Sequence, residues 1–461
     1  MSDPTAFSTL NLKPELLGNL PDLGYTEMTL VQAHTLPKLI AGADVLARAK
    51  TGSGKTAAFG LSLLNKLNAD SFRVQALVLC PTRELADQVA KEIRRLARAI
   101  PNVKILSLCG GVPLGPQIAS LQHSPHIIVG TPGRMLKHLN KRTVQLNALQ
   151  TLVLDEADRM LDMGFADELD AILAFVPSDR QTLLFSATYP KAIAAISAIV
   201  QRDPQLVDVT DDEQPALIAQ HWCSVTRENR CDELLRALRA WGGSINLVFC
   251  NTKIDCTEVA TFLQARNIVA VALHGDLDQA QRNQVLVRFA NRSASVLVAT
   301  DVAARGLDVK NLDAVINYEL PRQADVYVHR IGRTARAGKE GVAVSLVEQR
   351  EEWRLQAIEE LLPDVLLQQC GIPDAKRSTN TLTPVMTTIQ ISGGRKNKLR
   401  PGDLLGALTA AGGVPAEVVG SIDLFDECSY VAVRNEQMPQ ALRQLRDRPI
   451  KGRRYRARVR K

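Results

Sequence analysis

No stretch of the sequence reaches the roughly 18 uninterrupted apolar residues that a membrane-spanning helix needs. The first residues, MSDPTAFSTLNLK, also lack the charged start and the apolar core of a secretion signal. These two absences predict a cytoplasmic protein with no membrane partner.

Closely spaced cysteine pairs are absent as well. The eight cysteines are scattered without a C-x-x-C pair, and several lie in apolar runs, as Cys80 does after residues 77–79. This pattern favours buried thiols over disulfide bonds or a zinc site.

Net charge is small for the length, +7 over 461 residues, and it is unevenly spread. Residues 384–461 contain 15 Lys and Arg against 7 Asp and Glu, a net charge of +8, so the preceding residues sum to about −1. The basic excess therefore belongs to the C-terminal segment. Composition alone leaves open whether that segment binds nucleic acid or is only a solvated surface.

The chain is too long for one ordinary hydrophobic core. Short apolar, β-branched runs recur, each followed by a polar turn and a helical pattern, which is typical of buried parallel strands. An acidic, Pro-containing stretch at 208–218 separates two sets of these runs and predicts a linker between two doubly wound domains, 1–207 and 219–365. The runs lie at residues 77–79, 127–129, 152–154 and 182–185, and at 246–249, 295–298, 314–316 and 342–345.

Residues 366–383 are polar and marked by proline, so we predict a second linker there. The remaining residues, 384–461, read as β-α-β-β-α-β, a small α+β domain. The expected fold class is thus α/β, with two tandem parallel-sheet domains and a C-terminal α+β domain. The predicted elements of the small domain are strands at residues 386–391, 418–423, 430–433 and 454–459, and helices at 403–410 and 438–445.

A glycine-rich loop follows the apolar segment 45–47 and leads into a helical pattern. Small residues let backbone N–H groups surround phosphate oxygens, while Lys55 can reach the β- and γ-phosphates and Thr56 can offer its hydroxyl to Mg²⁺. Ala49 stands where the strict pattern has glycine. The strand and helix around the loop disfavour the alternative, a chance glycine-rich turn. The loop comprises Ala49, Lys50, Thr51, Gly52, Ser53, Gly54, Lys55 and Thr56.

The tetrad Asp155-Glu156-Ala157-Asp158 directly follows the apolar run 152–154. This places carboxylates at the C-terminal edge of a sheet, where α/β proteins bind ligands. There Asp155 can hold Mg²⁺ and Glu156 can orient and deprotonate an attacking water. A solvated acidic turn is the alternative, but it need not follow a buried strand in a chain that also carries a phosphate loop.

With this tetrad, the sequence resembles the DEAD-box RNA helicases of superfamily 2, and the likeness covers nearly the whole chain. The resemblance implies two RecA-like domains, ATP and Mg²⁺ as cofactors and RNA as partner. In the family, Ser186 and Thr188 would couple hydrolysis to strand separation. Arg333 and Arg336 would act as arginine fingers, which can increase the rate of phosphoryl transfer by about 10³ to 10⁵. A solvated basic helix is the alternative interpretation of these arginines.

The resemblance extends to the residues that select the nucleotide. Gln32 would pair with the adenine edge, with Tyr25 and Phe7 near the ring, and Asp308 would meet the ribose. Met28 replaces a proline common in this motif. For Gln32 a buried structural amide remains the alternative.

The family's RNA-backbone motifs are present in both expected domains. Two domains that contact phosphates would hold a single strand without reading its bases, and contacts to 2′-hydroxyls would favour RNA over DNA. The corresponding residues are Thr82, Arg83, Gly111, Thr131 and Arg134 in the first domain and Lys253, Gly275, Arg282 and Thr300 in the second.

Residues 384–461 resemble the RNA-recognition-motif-like domain of a bacterial member of this family. The resemblance implies tethering to a hairpin of large-subunit (23S) ribosomal RNA in pre-ribosomal particles during assembly. The pattern departs from ordinary base stacking, because the predicted strands offer only Tyr430 as an aromatic. The candidate contacts are Arg395, Lys396, Lys398, Arg400, Lys451, Arg453, Arg454 and Arg456.

We therefore predict an RNA-dependent ATPase that separates short duplexes locally and works as a monomer. Two alternatives stay open at this point. One is an ATP-gated RNA clamp or scaffold that binds without productive unwinding, and the other is a DNA helicase or translocase of the same superfamily.

Overall fold

The computed structural model describes residues 5–49, 52–188, 191–209, 218–304, 312–334, 341–362, 367–373 and 382–460. Between residues 215 and 216 the chain divides into two compact units. The first unit contains one parallel sheet, and the second contains a parallel sheet and a small antiparallel one. Over the described ranges, no helix is long and apolar enough to cross a membrane.

The first unit is built on a seven-stranded parallel sheet with the order β3-β4-β2-β5-β6-β1-β7. Its central strands are buried along their whole length, because helices cover both faces. The strands are β1 (Val45–Arg48), β2 (Ala76–Leu79), β3 (Ile105–Leu108), β4 (Ile127–Gly130), β5 (Thr151–Asp155), β6 (Gln181–Ser186) and β7 (Gln205–Asp208).

Helices of the first unit form a separate hydrophobic core on each face of the sheet. One core includes Phe59 and Phe185, whose rings lie 5.4 Å apart, and the other includes Ile128 and Met160. The helices are α1 (Pro14–Asn19), α2 (Leu30–Ala41), α3 (Lys55–Lys66), α4 (Arg83–Leu96), α5 (Leu114–Leu121), α6 (Pro132–Asn140), α7 (Ala157–Asp162), α8 (Ala166–Leu173) and α9 (Lys191–Val200).

The parallel sheet of the second unit has the order β10-β11-β9-β12-β13-β8-β14. This is the order of the first sheet with seven added to each number, so equivalent loops fall at equivalent positions in the two sheets. Its elements are β8 (Ile218–Ser224), α10 (Arg230–Trp241), β9 (Asn246–Cys250), α11 (Lys253–Gln264), β10 (Ala270–Leu273), α12 (Gln279–Ala290), β11 (Val296–Thr300), α13 (Asp301–Ala304), β12 (Ala314–Asn317), α14 (Ala324–Ile331), β13 (Gly341–Val347), α15 (Glu352–Leu361) and β14 (Gln368–Gln369).

Both predicted linkers overlap strands at their ends. Asp208 ends β7 and pairs with Arg48 at 3.1 Å, and Ile218 begins β8. Beyond α15, Gln368–Gln369 pairs with β8 as strand β14. Regular structure therefore extends beyond the predicted domain boundaries, while residues 210–217 lie outside the described ranges.

The C-terminal sheet is antiparallel and has the order β16-β17-β15-β18. The connectivity confirms the predicted β-α-β-β-α-β fold. One face packs against two helices through residues such as Ile389, Val431, Leu404 and Leu445. The last strand begins three residues later than predicted, at Ala457. The elements are β15 (Met386–Ile391), α16 (Pro401–Thr409), β16 (Val419–Leu424), β17 (Ser429–Arg434), α17 (Met438–Asp447) and β18 (Ala457–Arg460).

Candidate nucleotide and RNA site

The glycine-rich loop predicted to hold phosphates lies between β1 and α3. Gly52 and Gly54 have φ angles of 93° and 98°, a region that glycine adopts without strain. Lys55 is the first residue of α3, and its buried Nζ donates a 2.9 Å hydrogen bond to the carbonyl oxygen of Ala49. Since free N–H groups and the helix dipole favour anions at this end of a helix, the loop is suited to phosphate.

Gln32 fixes this loop from the neighbouring helix α2. Its Oε1 accepts a 3.0 Å hydrogen bond from the backbone N–H of Thr29, and its Nε2 donates to the carbonyl oxygen of Gly54 at 3.2 Å. Thr29 also donates from Oγ1 to the carbonyl oxygen of Ser53 at 2.8 Å. A Cβ atom on Gly54 would lie 2.6 Å from Gln32 Nε2, so the loop requires glycine there. Gln32 is 1% exposed, and these two bonds leave one amide hydrogen and one oxygen lone pair of its side chain unused.

Tyr25 and Phe7 form a packed pair beside α4. Their rings meet edge to face at 6.3 Å, and the Tyr25 hydroxyl donates a 2.6 Å hydrogen bond to Glu92 Oε1. Burial, with the Glu92 hydrogen bond, raises the pKa of Tyr25. Phe7 is buried within the core, and Tyr25 is partly buried against it.

Asp155 ends β5, and Glu156 follows it with a φ angle of 52°. A left-handed non-glycine residue carries strain of about 1–3 kcal/mol, which proteins retain mainly at functional sites. Both side chains are buried, and Asp155 Oδ1 has no hydrogen-bond partner within the described part of the chain. Burial raises the pKa of Asp155 to about 7, against the opposing charge of Lys55. A cation would relieve the cost of this unpartnered carboxylate.

Asp158, the last residue of the tetrad, binds the segment after β6. Its Oδ2 accepts hydrogen bonds from the backbone N–H of Ala187 at 3.2 Å and from the N–H and hydroxyl of Thr188 at 3.0 and 2.8 Å. Ser186 Oγ donates to the carbonyl oxygen of Thr188 at 2.6 Å. Burial tends to raise the pKa of Asp158, but the Thr188 hydrogen bonds and Lys55 outweigh it and lower that pKa.

The phosphate loop, the tetrad and the Ser186–Thr188 segment follow β1, β5 and β6 respectively, and these three strands are neighbours in the order β5-β6-β1. Because the strands are parallel, all three segments leave the same edge of the sheet. The fold thus gathers the predicted phosphate and carboxylate groups of the first unit at one place.

The predicted RNA-backbone residues of the first unit leave that same edge from three other neighbouring strands. Thr82 follows β2 and caps α4, accepting a 3.3 Å hydrogen bond from the N–H of Leu85. Arg83 lies directly against Gly111, where an added Cβ would fall 1.6 Å from its NH1 atom. The order β3-β4-β2 places the segment after β4 between them.

That middle segment contains Thr131, which is buried, and Arg134. Arg134 donates to Gln117 Oε1 at 2.6 Å and to the carbonyl oxygen of Val112 at 2.8 Å. Gln117 also lies 3.0 Å from His138 Nε2. Arg134 therefore holds the loop after β3 in place, a role that the sequence alone did not indicate.

In the second unit, the corresponding residues follow β9, β10 and β11, which are also neighbours. Lys253 pairs with Asp276 at 2.8 Å, beside Gly275. Arg282 donates to the carbonyl oxygen of Ala303 at 2.7 Å, in the turn that follows Thr300. The two sheets thus present their candidate RNA residues from equivalent strands.

Arg330 is the most deeply buried arginine of the second unit and is hydrogen-bonded through all three guanidinium nitrogens. Its Nε and NH2 donate to the two carboxylate oxygens of Asp301 at 2.6 and 2.8 Å. Further bonds reach Asn251 Oδ1 and Asn317 Oδ1 at 2.9 and 3.1 Å, and the carbonyl oxygen of Glu319 at 2.6 Å. Arg330 therefore ties together the segments that follow β9, β11 and β12.

Arg333 lies one turn beyond Arg330 and is buried, with its N–H donating to the carbonyl oxygen of Arg330 at 3.3 Å. The sequence alone assigned no role to Arg330 or Asp158. Both residues lie close in sequence to residues with a predicted role, and this proximity could have identified them as candidate site residues. Four predicted site residues lie outside the described residues, namely Lys50, Thr51, Asp308 and Arg336.

The predicted basic residues of the tail are all exposed and lie on two adjoining segments. Lys451 Nζ donates to the carbonyl oxygen of Lys398 at 2.9 Å, and the N–H of Arg456 donates to Ser392 Oγ at 2.9 Å. These contacts join residues 395–400 to 451–456. The joined surface, here called the basic loop surface, consists of Arg395, Lys396, Lys398, Arg400, Lys451, Arg453, Arg454 and Arg456.

The outer face of the C-terminal sheet, opposite its helices, offers little to a stacking base. Tyr430 is 4% exposed, lies edge-on to Phe425 and receives a 3.2 Å hydrogen bond from Gln390. Thr388 is fully buried, and its Oγ1 lies 2.6 Å from Ser293 Oγ of the parallel-sheet domain. The basic loop surface is therefore the better candidate for binding a polyanion.

Three family matches cover most of the chain. Residues 29–196 match the DEAD/DEAH box helicase family, and residues 227–338 match the helicase conserved C-terminal domain. Residues 388–459 match the DbpA RNA binding domain. The third match covers the antiparallel domain and its basic loop surface.

Among curated relatives, the ATP-dependent RNA helicase DbpA of Escherichia coli is 54% identical over 456 residues, covering 99% of this chain and 99% of that protein. The ATP-dependent RNA helicase CshA of Listeria monocytogenes is 45% identical over 357 residues, 77% of this chain and 68% of that protein. The alignment with DbpA covers nearly the whole chain and therefore includes the C-terminal domain. The alignment with CshA leaves out a number of residues that is similar to the length of that domain.

Among solved structures, Saccharomyces cerevisiae Dbp5 bound to RNA and ADP BeF3 aligns with a TM-score of 0.72 and 30% identity, covering 79% of this chain and 95% of that chain. Mss116p bound to single-stranded RNA and AMP-PNP aligns with a TM-score of 0.72 and 27% identity, covering 80% of each. Taken with the phosphate loop, the buried tetrad and the duplicated sheet, these matches show that the chain belongs to the DEAD-box family of ATP-dependent RNA helicases and carries a DbpA-type RNA-binding domain.

Proposed function

We propose that this helicase hydrolyses ATP with Mg²⁺ and locally separates short RNA duplexes after its C-terminal domain has bound a hairpin of large-subunit (23S) ribosomal RNA, in the cytoplasm and during assembly of that subunit. The observation that carries the catalytic part is the link between Asp158 and Thr188. It joins the carboxylate tetrad to the segment after β6 by hydrogen bonds of 2.8–3.2 Å. A conformational change at the bound phosphates can therefore pass from the tetrad to the segment after β6 through these hydrogen bonds.

Mg²⁺ fits the residues at this edge of the sheet. Asp155 Oδ1 is buried without a hydrogen-bond partner in the described chain, and Thr56 is the second residue of the helix that follows the loop. A carboxylate, a hydroxyl and the substrate phosphates are the oxygen ligands that Mg²⁺ accepts in such sites. When bound, the ion would neutralise charge on the β- and γ-phosphates.

Glu156 is the group that we assign as the base. It follows β5 with a left-handed backbone, at the edge of the sheet where the phosphate loop also lies. There it would orient the attacking water and accept its proton, while Lys55 leaves the Ala49 carbonyl oxygen for phosphate. Arg333 and Arg336 would supply positive charge to the transferred phosphoryl group.

RNA targeting is assigned to the basic loop surface. Eight exposed basic residues on two adjoining segments make a local field that attracts a phosphate backbone. The domain match to the DbpA RNA binding domain supports RNA as the ligand. The ribosomal assignment is what the sequence resemblance implies, and the identity to DbpA over 99% of both chains supports it. We also propose that the active enzyme is a monomer.

The decisive experiment compares ATPase stimulation by the ribosomal RNA hairpin and by an unrelated hairpin of equal length. The full chain and a chain ending at residue 383 are assayed together. We expect the ribosomal hairpin to stimulate the full chain more strongly, and the two RNAs to act equally on the shortened chain. Equal stimulation of the full chain by both RNAs would refute the ribosomal assignment.

Two further assays address the alternatives. A Glu156→Gln protein should bind RNA normally and lose about 10²–10⁴ in kcat, the usual contribution of general-base catalysis. Turnover without strand separation in the unaltered protein would favour an RNA clamp. Stimulation by DNA equal to that by RNA would favour a DNA helicase.

A further inference from the structure

The end of α12 covers part of the outer face of the C-terminal sheet. Asn291, which caps α12, donates from Nδ2 to Thr388 Oγ1 at 3.4 Å, and Ser293 Oγ lies 2.6 Å from the same hydroxyl. Beside this contact the two domains leave a cleft of about 620 Å³. That volume falls within the range of ligand sites, about 300–1,000 Å³. We call it the seam cleft, and its lining includes Asn291, Arg292, Met386, Ser421, Arg434 and Glu436.

Positive charge enters the seam cleft from both domains. Arg292 and Arg434 are exposed, and neither makes a side-chain hydrogen bond or ion pair with the described residues. Glu436 is the single acidic residue among those that line the cleft. Two exposed arginines against one glutamate give the cleft a positive balance, which favours an anionic ligand.

Arg292 stands where a helix normally ends in glycine. It follows the cap residue Asn291 with a φ angle of 55°, and its N–H donates to the carbonyl oxygen of Phe289 at 3.0 Å. A side chain in this conformation costs about 1 kcal/mol compared with glycine. This backbone places the Arg292 side chain among the residues that line the cleft.

The remaining walls of the cleft suit a base. Met386 lies against Gly420, where an added Cβ would come within 2.7 Å of the Met386 methyl carbon, so the wall is apolar and closely packed. Asn291 is 4% exposed, and its Oδ1 has no hydrogen-bond partner among the described residues. An unsatisfied buried acceptor costs about 1–3 kcal/mol, so a ligand N–H that reached it after a small rotation of the amide would be favoured.

We propose that the seam cleft binds one nucleotide of single-stranded RNA, with its phosphate at Arg292 and Arg434 and its base against Met386. This site deepens the proposed function and rests on it. A strand that extends from a hairpin on the basic loop surface would be guided along the seam by the second helicase domain. An acidic peptide could also contact the arginines, but one side of the cleft belongs to a domain that matches an RNA-binding domain, so RNA is the better occupant.

The test uses the full chain labelled with ¹³C at the methionine methyl groups. Met386→Leu assigns the Met386 resonance, and Met438 on α17 serves as an internal reference. We expect a uridine tetranucleotide to shift the Met386 signal and leave that of Met438 in place. A Met386 signal that stays fixed at saturating tetranucleotide, or that moves only with oligoglutamate, would overturn the proposal.

Variants then test the phosphate contacts. Arg434→Gln and Arg292→Gly should each weaken the titration followed at Met386 by about threefold to tenfold, the range for one lost charge-assisted contact. Arg443→Gln is the matched control, because Arg443 is exposed on α17, behind the other face of the sheet. Arg292→Gly also removes backbone strain, so a loss of binding without a loss of melting temperature separates recognition from folding. Equal affinity in all three variants would refute the site.

The proposed function is measured in the same samples by RNA-stimulated ATPase. If RNA fails to stimulate the unaltered protein, the proposed function fails. If RNA stimulates it while Met386 does not respond, only the seam cleft is refuted.

Discussion

Asp158 and Thr188 are joined by two hydrogen bonds to one oxygen atom. The backbone N–H and the hydroxyl of Thr188 both donate to Asp158 Oδ2, at 3.0 and 2.8 Å. Hydrogen bonds to a buried carboxylate are stronger than neutral ones, about 1.5–3 kcal/mol each. The tetrad and the segment after β6 therefore move together or lose this energy.

Removing the hydroxyl while keeping the side-chain shape tests this link. In Thr188→Val one of the two bonds is lost, so we expect ATPase to stay within about threefold while duplex unwinding falls at least tenfold. Rates of both are measured on one RNA substrate. The control is Thr261→Val, where an exposed hydroxyl donates only to a carbonyl oxygen of its own helix. Parallel loss of both activities in Thr188→Val would contradict a coupling role.

The core strands of both parallel sheets were predictable, and most missed strands lie at the edges. Central strands such as Thr151–Asp155 are buried on both faces and appear as continuous apolar runs. In contrast, β3, β7, β10 and β14 form the sheet edges, and β7 has only Val207 buried. A half-exposed edge strand does not form a continuous apolar run, and its pairing depends on residues that are distant in sequence.

Site residues that belong to a sequence motif were predictable, whereas the roles that depend on tertiary contacts were not. Lys55 and Asp155 followed from loop and strand patterns. The three-segment contacts of Arg330 could not be read from its own neighbourhood, because Asp301, Asn251 and Asn317 are 13 to 79 positions away. Gln32 also illustrates this limit, since its hydrogen bond to Gly54 is visible only in the folded chain.

Gln32 is expected to act on both the loop and the base. Gln32→Glu retains an acceptor for the Thr29 N–H but loses the donor to Gly54 and to a ligand. We expect it to raise the KM for ATP at least tenfold and to reduce the preference for ATP over GTP. Thr29→Ala removes the bond to Ser53 and the side-chain cap of α2 but keeps the Gln32 amide, so it should raise both KM values by a similar factor. If both variants leave the ATP to GTP ratio unchanged, Gln32 serves only the loop.

Asp155 should make the metal-free protein less stable as the pH rises. Burial gives it a folded pKa of about 7, above its ordinary value of 3.8, so the protonated form stabilises the fold below about pH 4 and this contribution is lost as the pH approaches 7. Asp155→Asn removes the titration. In EDTA, its melting temperature should exceed that of the unaltered protein by several degrees at pH 8 and by clearly less at pH 5, since 1 kcal/mol shifts a domain of this size by about 2–4 °C. A difference that is constant with pH would contradict the raised pKa.

Arg330 is expected to be indispensable for the fold of the second unit. Arg330→Gln leaves the Asp301 carboxylate without its cation and vacates the bonds to Asn251 and Asn317. Breaking a buried pair on one side costs about 3–5 kcal/mol, so we expect a clear fall in melting temperature by calorimetry. Arg330→Lys keeps the charge but not the planar set of donors, and should recover only part of the loss. Full stability of Arg330→Gln would show that the network is redundant.

Lys398 offers a substitution in which folding and RNA binding change in opposite directions. Its φ angle of 58° follows the turn Arg395–Asn397, so a side chain is strained there. Lys398→Gly should keep or raise stability, by about 0.5–1 kcal/mol, yet weaken hairpin binding about threefold to tenfold by removing one cation from the basic loop surface. Lys398→Ala removes the same charge and keeps the strain, so it should bind equally weakly and be less stable than the glycine variant.

RNA binding by both variants is followed by fluorescence anisotropy, and their stability by thermal melting. The difference in affinity from the unaltered protein should shrink as salt rises, because phosphate contacts release counterions. Unchanged affinity in both variants at low salt would remove Lys398 from the RNA-binding surface.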